Sequence, residues 1–329
     1  MKKHIYIYSP SGAVRDKAAF KRGVARLVAL GHEVEVDEAA LASFQRFAGD
    51  DETRLAAIHR AAASRADVAL ISRGGYGLTR ILPNISYKTI AEAIGQGMLF
   101  VGISDFTAFQ CAVLAQTGSI TWAGPALCEG FGVGGQAKSV EGRGKATVPD
   151  DIMEACFGDL ISRRGEGTGW RQHRQVTSNN IADNAMNTGV TGDFVIEESI
   201  LWGGNLTILT SLLGTPYFPN IQGGILFLED VSEHPYRIER MLTQLLYSGV
   251  MARQKAIVLG QFTDFKLVAH DRGFKMQTVI DWLRWHLRIP VLTNLPYGHV
   301  ATKVVLPVGR SVDLRVEGRD ALLYWGDIG

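Results

Sequence analysis

The sequence predicts an α/β protein of two domains, and three observations support this fold class. The first half of the chain alternates short apolar strands with amphipathic helices over short connections, which is typical of a parallel sheet covered by helices. The middle of the chain loses this periodicity, and a second series of strands and helices begins near residue 185. A length of 329 residues accommodates two domains.

In the first half, each apolar strand leads into a turn and then a helix. Phe20, Val24 and Leu27 share one face of the first helix, which ends at Gly31. An alanine-rich helix is predicted over residues 51–63. The predicted strands are residues 5–9, 32–36, 68–71 and 98–103, and the remaining helices are residues 89–94 and 106–114.

The middle of the chain contains the predicted boundary between the domains. Residues 129–147 contain six glycines, and residues 159–180 are polar and rich in Arg, Gln and Gly. One stretch is expected to be a mobile loop and the other a linker between domains. We therefore predict an N-terminal domain over residues 1–160, a linker over 161–184 and a C-terminal domain over 185–329.

The second half resumes the alternation of strands and helices. Apolar residues from Ile238 to Leu246 follow the i, i+3, i+4, i+7, i+8 spacing of an amphipathic helix. Two more helical faces are predicted over residues 206–213 and 276–287. The predicted strands are residues 194–196, 225–228, 256–259, 312–316 and 322–324, with a further strand near Val304.

The composition is that of a folded globular protein, with 46% hydrophobic and 20% charged residues. A net charge of +1 provides no field to attract nucleic acid or an anionic membrane. The N-terminal apolar run ends at Pro10 and is shorter than the roughly 7–15 residues of a signal peptide core. No run approaches the roughly 18 apolar residues of a membrane span. The three cysteines form no C-x-x-C pair, so we expect a cytoplasmic protein without a zinc site.

Ser104 stands where an apolar strand ends and a helix begins. This is the layout of a nucleophile elbow, whose sharp turn exposes the hydroxyl and whose following N–H groups stabilise an oxyanion. Gly102 gives the turn steric room, although Phe106 occupies the position of the second glycine in G-x-S-x-G. Helix capping by Ser104 is the alternative. Cys111 is a rival nucleophile, but its place inside the helix favours a role in the core.

Three other loops contain candidate catalytic residues. The glycines of Ser72–Gly77 predict either a tight turn or a close approach to a ligand, with the Gly75 N–H as an oxyanion donor. Glu229 ends a buried strand and either orients a catalytic histidine or carries solvated charge near the next helix. His299 lies in a short loop between strands and is the candidate general base, with His234 as its rival.

Candidate substrate contacts are aromatic, amide and cationic side chains near these loops. Trp202 lies beside two glycines at a helix start, where it lines a pocket or belongs to the core. Asn205 and Tyr76 are further candidates for binding substrate. Arg73 and Arg237 are candidates for binding a substrate carboxylate, or are surface residues.

Together these motifs resemble the LD-carboxypeptidases, the muramoyltetrapeptide carboxypeptidase group of serine peptidases. The motifs occur in the order of that family and span nearly the whole chain. They are Ser9–Gly12, Arg73–Gly77, Gly102–Asp105, Trp202–Asn205, Leu228–Asp230, His234–Arg240, Arg253–Ile257 and Gly298–His299.

The resemblance implies a serine, glutamate and histidine triad, which falls on Ser104, Glu229 and His299. It also implies an oxyanion hole at the N–H groups of Gly75 and Asp105. The implied architecture is an N-terminal Rossmann-like domain and a C-terminal mixed α/β domain, with the site in the cleft between them. The implied reaction is hydrolysis of the L,D-peptide bond to the terminal D-Ala of a murein tetrapeptide in peptidoglycan recycling. A homodimer that needs no metal or organic cofactor is expected.

Two alternatives remain open at the level of sequence. Some relatives hydrolyse peptide–nucleotide antibiotics of the microcin type and confer immunity. Trp202 is compatible with that activity, whereas the short loop before His299 does not favour it. The other alternative is a protein without catalytic activity that binds a muropeptide between its domains, and the intact triad argues against it.

Overall fold

The first of two sheets in the protein is nearly all parallel, as the sequence predicted. In a computed structural model, residues 2–134, 148–173 and 192–328 are described. The six strands of the first sheet are β1 (His4–Tyr8), β2 (Glu33–Val36), β3 (Val68–Ile71), β4 (Leu99–Gly102), β5 (Thr121–Ala123) and β11 (Leu306–Val308). Their order is β11-β5-β4-β3-β1-β2, and all pairs are parallel except the antiparallel pair of β11 and β5.

Five helices accompany this sheet: α1 (Lys17–Ala29), α2 (Asp51–Ala63), α3 (Tyr87–Gly95), α4 (Thr107–Thr117) and α5 (Asp151–Ile161). The helix predicted over residues 51–63 is confirmed at both ends. Aspartates cap the N-termini of three of these helices, because each carboxylate accepts a backbone N–H of the first turn. Gly118 ends α4 in the left-handed region, with φ of 69°.

The second sheet is mixed. Its seven strands are β6 (Gly167–Arg171), β7 (Phe194–Asn205), β8 (Ile225–Val231), β9 (Ala256–Thr263), β10 (Val291–Leu292), β12 (Arg310–Glu317) and β13 (Asp320–Tyr324). The order is β10-β9-β8-β7-β12-β13-β6, with a parallel half from β10 to β7 and an antiparallel half from β12 to β6. The helices that connect strands of this sheet are α6 (Leu206–Ser211), α7 (Pro235–Tyr247) and α8 (Met276–His286). Within the described ranges, no helix combines the length and apolar character needed to cross a membrane.

Two strands belong to sheets that the predicted domain limits did not imply. β6 is inside the predicted linker 161–184, yet it pairs with β13 in the second sheet. β11 belongs to the predicted C-terminal domain, yet it extends the first sheet. Most of the glycine-rich stretch and the end of the polar stretch, residues 135–147 and 174–180, lie outside the described residues. The exact domain limits therefore stay a prediction.

The topology brings the candidate loops to the carboxyl edges of the two sheets. β1, β3 and β4 are parallel neighbours, so the loops that follow them lie at one edge. The strand order reverses between β1 and β3, which is the position where open α/β sheets bind ligands. The two sheets meet where the Asn205 N–H, at the end of β7, donates to Oγ1 of Thr107 at the start of α4, over 3.0 Å.

The end of β7 requires glycine because other backbone approaches it closely. Gly203 has φ of 130°, and a Cβ added there would lie 2.0 Å from the carbonyl oxygen of Phe227. Gly204 has φ of 134°, and its Cβ would lie 2.5 Å from Oγ1 of Thr107. These two glycines therefore set the distance between β7 and β8 and between the two sheets.

We predict that Gly203→Ala destabilises the protein by about 2–4 kcal/mol, because the added methyl group meets both backbone strain and a carbonyl oxygen. Gly158→Ala is the matched control, since Gly158 lies inside α5 with nothing within 4 Å of its added Cβ. This control should stabilise the protein by about 0.5–1 kcal/mol. Urea unfolding of the two variants measures both values, and equal stabilities would contradict the close approach at Gly203.

Candidate active site

Ser104 occupies a strained turn directly after β4. Its φ is 68°, in the left-handed region that residues other than glycine rarely adopt. Gly102 makes room for the turn, because an added Cβ would lie 2.5 Å from the ring of Phe106. Gly74 packs against the serine, since its added Cβ would lie 2.8 Å from the Ser104 Oγ. This sharp strand-to-helix turn has the backbone character of a nucleophile elbow.

Two backbone donors flank the serine. Gly75 follows Gly74 with φ of 123° and lies against Gly12, whose Cα would be 3.1 Å from an added Cβ. Asp105 is in the 3₁₀ turn Ser104–Phe106 that precedes α4. The N–H groups of Gly75 and Asp105 donate no hydrogen bond to the part of the chain that the structure describes. Both remain available to an oxyanion beside Ser104.

The Asp105 carboxylate ties these loops together. Its Oδ2 accepts the hydroxyl of Ser11, from the loop after β1, and the N–H of Leu78, from the segment after β3, over 2.9 Å for the latter. Burial raises the pKa of Asp105, and these two donors and the charge of Arg54 oppose the rise. One carboxylate therefore connects three loops at the edge of the first sheet.

Glu229 and His299 form a hydrogen-bonded pair. His299 Nδ1 lies 2.8 Å from Oε2 of the fully buried Glu229, while the imidazole remains 23% exposed. Gly298 permits this approach, because its added Cβ would lie 3.3 Å from the same oxygen. Burial lowers the pKa of His299, but the charge and hydrogen bond of Glu229 outweigh it, so the pKa is raised. With Nδ1 donating to the carboxylate, Nε2 is the atom left to accept a proton.

Asn205 connects this pair to the turn of Ser104. Its Nδ2 donates to Oε1 of Glu229 and to Oδ1 of Asp230, each over 3.1 Å, and its Oδ1 caps α6. Its backbone N–H binds Thr107, which lies three residues after Ser104. Asn205 therefore links the two parts of the site, because its side chain binds Glu229 and its backbone N–H binds the residue at the start of α4.

Asp230 is the second carboxylate of this network. Oδ2 accepts the N–H and the hydroxyl of Thr207 over 2.9 and 2.8 Å, and Oδ1 accepts the N–H of Val231 over 2.8 Å. Burial and the neighbouring charge of Glu229 raise the pKa of Asp230 to about 6. Asp230 therefore supports the network by accepting hydrogen bonds from groups that would otherwise be unpaired.

The rival residues have other environments. Cys111 is buried in α4, and burial raises the pKa of its thiol to about 12, so little thiolate forms near neutral pH. His234 pairs with Asp271, with 3.2 Å between Nε2 and Oδ2, and stands at the N-cap of α7. His234 thus has an orienting carboxylate as His299 does, but its other ring nitrogen, Nδ1, is fully enclosed and cannot reach a substrate.

The three predicted substrate contacts differ in exposure. Trp202 is 1% exposed, its indole N–H donates to Oε1 of Gln254 over 2.9 Å, and its ring meets Phe218 edge-on. This is the environment of a core residue, the alternative that the sequence left open. Asn205 is buried in the network described above. Tyr76 is 44% exposed beside Gly75 and remains the accessible candidate.

Both predicted carboxylate-binding arginines have protein partners. Arg73 lies 3.5 Å from a carboxylate oxygen of Glu129, and Arg237 on α7 lies 3.7 Å from Glu233. Sequence reasoning missed Lys303, which is 3% exposed and stands four residues after His299. The signal available was a single lysine followed by the apolar run that leads into β11.

No group of three or more His, Cys, Asp or Glu side chains that could hold a metal occurs within residues 2–134, 148–173 and 192–328.

Comparison with known proteins assigns both halves of the chain. Residues 5–124 match the LD-carboxypeptidase N-terminal domain, and residues 198–314 match the LD-carboxypeptidase C-terminal domain. A Bacillus subtilis protein named "probable murein peptide carboxypeptidase" is 26% identical over 307 residues, or 90% of this chain and 84% of that protein. The microcin C7 self-immunity protein of Escherichia coli is 27% identical over 262 residues, or 75% of this chain and 70% of its own.

Solved structures give the same assignment. The muramoyltetrapeptide carboxypeptidase from Oxalobacter formigenes superimposes with a TM-score of 0.80 and 36% identity, covering 98% of this chain and 99% of that one. The wild-type apo microcin C7 self-immunity protein superimposes with a TM-score of 0.79 and 22% identity, covering 99% and 97%. The second comparison shows a shared fold.

We predict that Glu229→Gln lowers the maximum kcat/KM for a D-Ala-terminated tetrapeptide by up to about 10⁴-fold. The charge of Glu229 raises the pKa of His299, so its removal should also move the acidic limb of the pH profile to lower pH. The exposed Glu92 of α3 provides the control Glu92→Gln, which should alter neither quantity. An acidic limb that stays in place would contradict the pairing of Glu229 with the base.

A second prediction concerns Asn205. Asn205→Ala leaves the buried Glu229 and Asp230 without a shared donor, so we expect a loss of about 2–4 kcal/mol in the free energy of unfolding. The exposed Asn220 gives the control Asn220→Ala, with a change within about 0.5 kcal/mol. Urea denaturation compares them, and a cost below about 1 kcal/mol at Asn205 would show that the network does not depend on it.

Proposed function

The chain belongs to the LD-carboxypeptidase family, and on that premise we propose that it is a serine carboxypeptidase acting on murein tetrapeptides. The proposed reaction is hydrolysis of the L,D-peptide bond that joins the terminal D-Ala to the preceding diamino acid. Peptidoglycan recycling is the proposed role. The proposed nucleophile is Ser104, with His299 as base and Glu229 as acid.

The observation that carries this proposal is the 2.8 Å contact between His299 Nδ1 and the buried Glu229 Oε2. A fully enclosed carboxylate fixes the tautomer of the imidazole and stabilises the imidazolium that forms during catalysis. The strained backbone of Ser104 and the N–H groups of Gly75 and Asp105, which have no acceptor in the described part of the chain, support the remaining roles of an acyl-transfer site.

In the acylation step, Nε2 of His299 takes the hydroxyl proton of Ser104 while Oγ attacks the carbonyl carbon. The N–H groups of Gly75 and Asp105 stabilise the oxyanion, and the loss of one such donor typically costs about 10²–10³ in rate. The imidazolium then donates its proton to the nitrogen of D-Ala, and the amine leaves. An acyl-enzyme on Ser104 results.

Deacylation repeats these roles with water. His299 takes a proton from the water molecule, whose oxygen attacks the acyl carbon and displaces the Ser104 oxygen. The proton on Nε2 then moves to the Ser104 oxygen, and the shortened peptide leaves. Every proton moves through one imidazole nitrogen, while Glu229 remains ionised and holds the ring.

Hydrolysis of a peptide–nucleotide is less well supported. Among solved structures, the identity of 36% to a muramoyltetrapeptide carboxypeptidase exceeds the 22% to the microcin immunity protein. The two sequence relatives are almost equally identical, at 26% and 27%, but the murein peptide carboxypeptidase aligns with 90% of this chain and the immunity protein with 75%. The indole of Trp202 is enclosed and bound to Gln254, so it offers no face for stacking a base. A cytoplasmic location, expected from the N-terminal sequence and the cysteine pattern, and a homodimer, expected from the family resemblance, belong to the same proposal.

The proposal predicts release of free D-Ala from a muramoyl tetrapeptide, measured with a D-amino acid oxidase assay. Ser104→Ala should reduce the rate by about 10⁴-fold or more, because the variant lacks the hydroxyl oxygen on which the acyl-enzyme forms. Ser64→Ala is the matched control, since the Ser64 hydroxyl donates to the carbonyl of Ala61 at the end of α2, and it should retain full activity.

Two results would reject the proposal. A folded wild-type protein that releases no D-Ala would remove the carboxypeptidase function and direct the search to peptide–nucleotide amides. Undiminished release by Ser104→Ala would leave the reaction standing and remove Ser104 as nucleophile. A covalent serine probe, tested on wild type and Ser104→Ala, separates a catalytic protein from one that only binds muropeptides.

A further inference from the structure

We propose that Lys303 binds the free carboxylate of the terminal D-Ala and so makes the enzyme a carboxypeptidase rather than an endopeptidase. This inference rests on the proposed function and names the group that recognises the end of the substrate. Lys303 would thus be a specificity-determining residue for the same reaction.

Lys303 is a buried cation without a partner in the described residues. Its side chain is 3% exposed, yet no carboxylate of residues 2–134, 148–173 or 192–328 lies within 4.0 Å of its Nζ and no hydrogen bond satisfies it there. Lysines are almost never fully buried unless paired, because removal of an ammonium from water is costly. The Nζ is not among the fully enclosed atoms that lack a partner, so it still reaches accessible space. A ligand can therefore approach it.

The position of Lys303 is fixed from both domains. The loop closes when the Val304 N–H donates to the carbonyl of Pro296 over 2.9 Å, which sets Lys303 on the same loop as His299. Its neighbour Thr302 donates to Oδ2 of Asp150, the N-cap of α5, over 2.6 Å. Lys303 is therefore held in place on a closed loop beside the base.

The carboxylates near Lys303 are all engaged with other groups, so its ammonium can bind a further anion. Burial lowers the pKa of Lys303, and the charges of Glu129, Glu229 and Asp150 oppose that effect. Glu229 already binds His299, Glu129 pairs with Arg73, and Asp150 binds Thr302. All three carboxylates act on the ammonium from a distance, and none is its direct partner.

The chemistry of the leaving group explains why the anion should be the D-Ala carboxylate. Only one carbon separates that carboxylate from the scissile nitrogen, and His299 must reach this nitrogen to protonate it. The carboxylate must therefore lie near His299, and the Lys303 ammonium, on the same closed loop, is near enough for its charge to lower the pKa of that imidazole. A charge-assisted hydrogen bond there would select substrates that end at D-Ala.

The test compares a tetrapeptide ending in D-Ala with the same peptide ending in D-alaninamide. Wild type should prefer the free acid by about 100-fold in kcat/KM, the effect of losing a hydrogen bond to a charged group. Lys303→Met should lower kcat/KM for the acid about 100-fold more than kcat/KM for the amide, so that the preference disappears even if the altered charge beside His299 changes both rates. Lys303→Arg should recover part of it.

Lys88→Met is the matched control, because Lys88 on α3 is 88% exposed, and this variant should keep the wild-type preference. Thermal unfolding verifies that each variant is folded, and Lys303→Gln replaces Lys303→Met if the apolar side chain prevents folding. A Lys303 variant that hydrolyses acid and amide with an unchanged ratio overturns the inference while D-Ala release by wild type upholds the carboxypeptidase function. Absence of D-Ala release by wild type removes both.

Discussion

The buried carboxylate of Glu229 is the constraint on which the rest of the site depends. A charge with no exposure needs hydrogen-bond donors, and Asn205 and His299 supply them to its two oxygens. Asn205 also binds Thr107 in the other domain, so the requirement of one carboxylate fixes the contact between the two sheets. Gly204 serves the same contact, because a side chain there would collide with Thr107, whereas Gly203 avoids the carbonyl oxygen of Phe227 on β8.

The first sheet places the nucleophile under a second constraint. Ser104 keeps a positive φ because neighbours on three loops surround it, and the Asp105 carboxylate binds two of those loops directly. Strain of this kind persists only where the surrounding structure enforces it. Among the described residues, the N–H groups of Gly75 and Asp105 donate no hydrogen bond, as the oxyanion hole proposed for this site requires.

Sequence predicted the features that depend on local patterns. The helix at residues 51–63 and the strand leading into Ser104 follow from apolar spacing and local turn residues. Pairing between distant strands has no local signal, so neither the position of β6 in the second sheet nor that of β11 in the first was predicted. Burial of polar or amphipathic side chains is equally nonlocal, which is why the sequence left Trp202 open between a pocket and the core and gave no sign of the buried Lys303.

The charges of the site form one coupled system. Glu229 raises the pKa of both Asp230 and His299, whereas the ammonium of Lys303 lowers that of His299. In the free enzyme the charge of Lys303 limits the rise in the pKa of His299 that Glu229 causes, which favours the neutral imidazole that can accept the serine proton. A substrate carboxylate at Lys303 would cancel part of the ammonium charge and raise the pKa of His299 further. The imidazolium would then be stabilised more strongly when a D-Ala carboxylate is bound, at the stage when it must protonate the leaving amine. Binding of the substrate carboxylate at Lys303 would thus be coupled, through the pKa of His299, to proton transfer to the leaving amine.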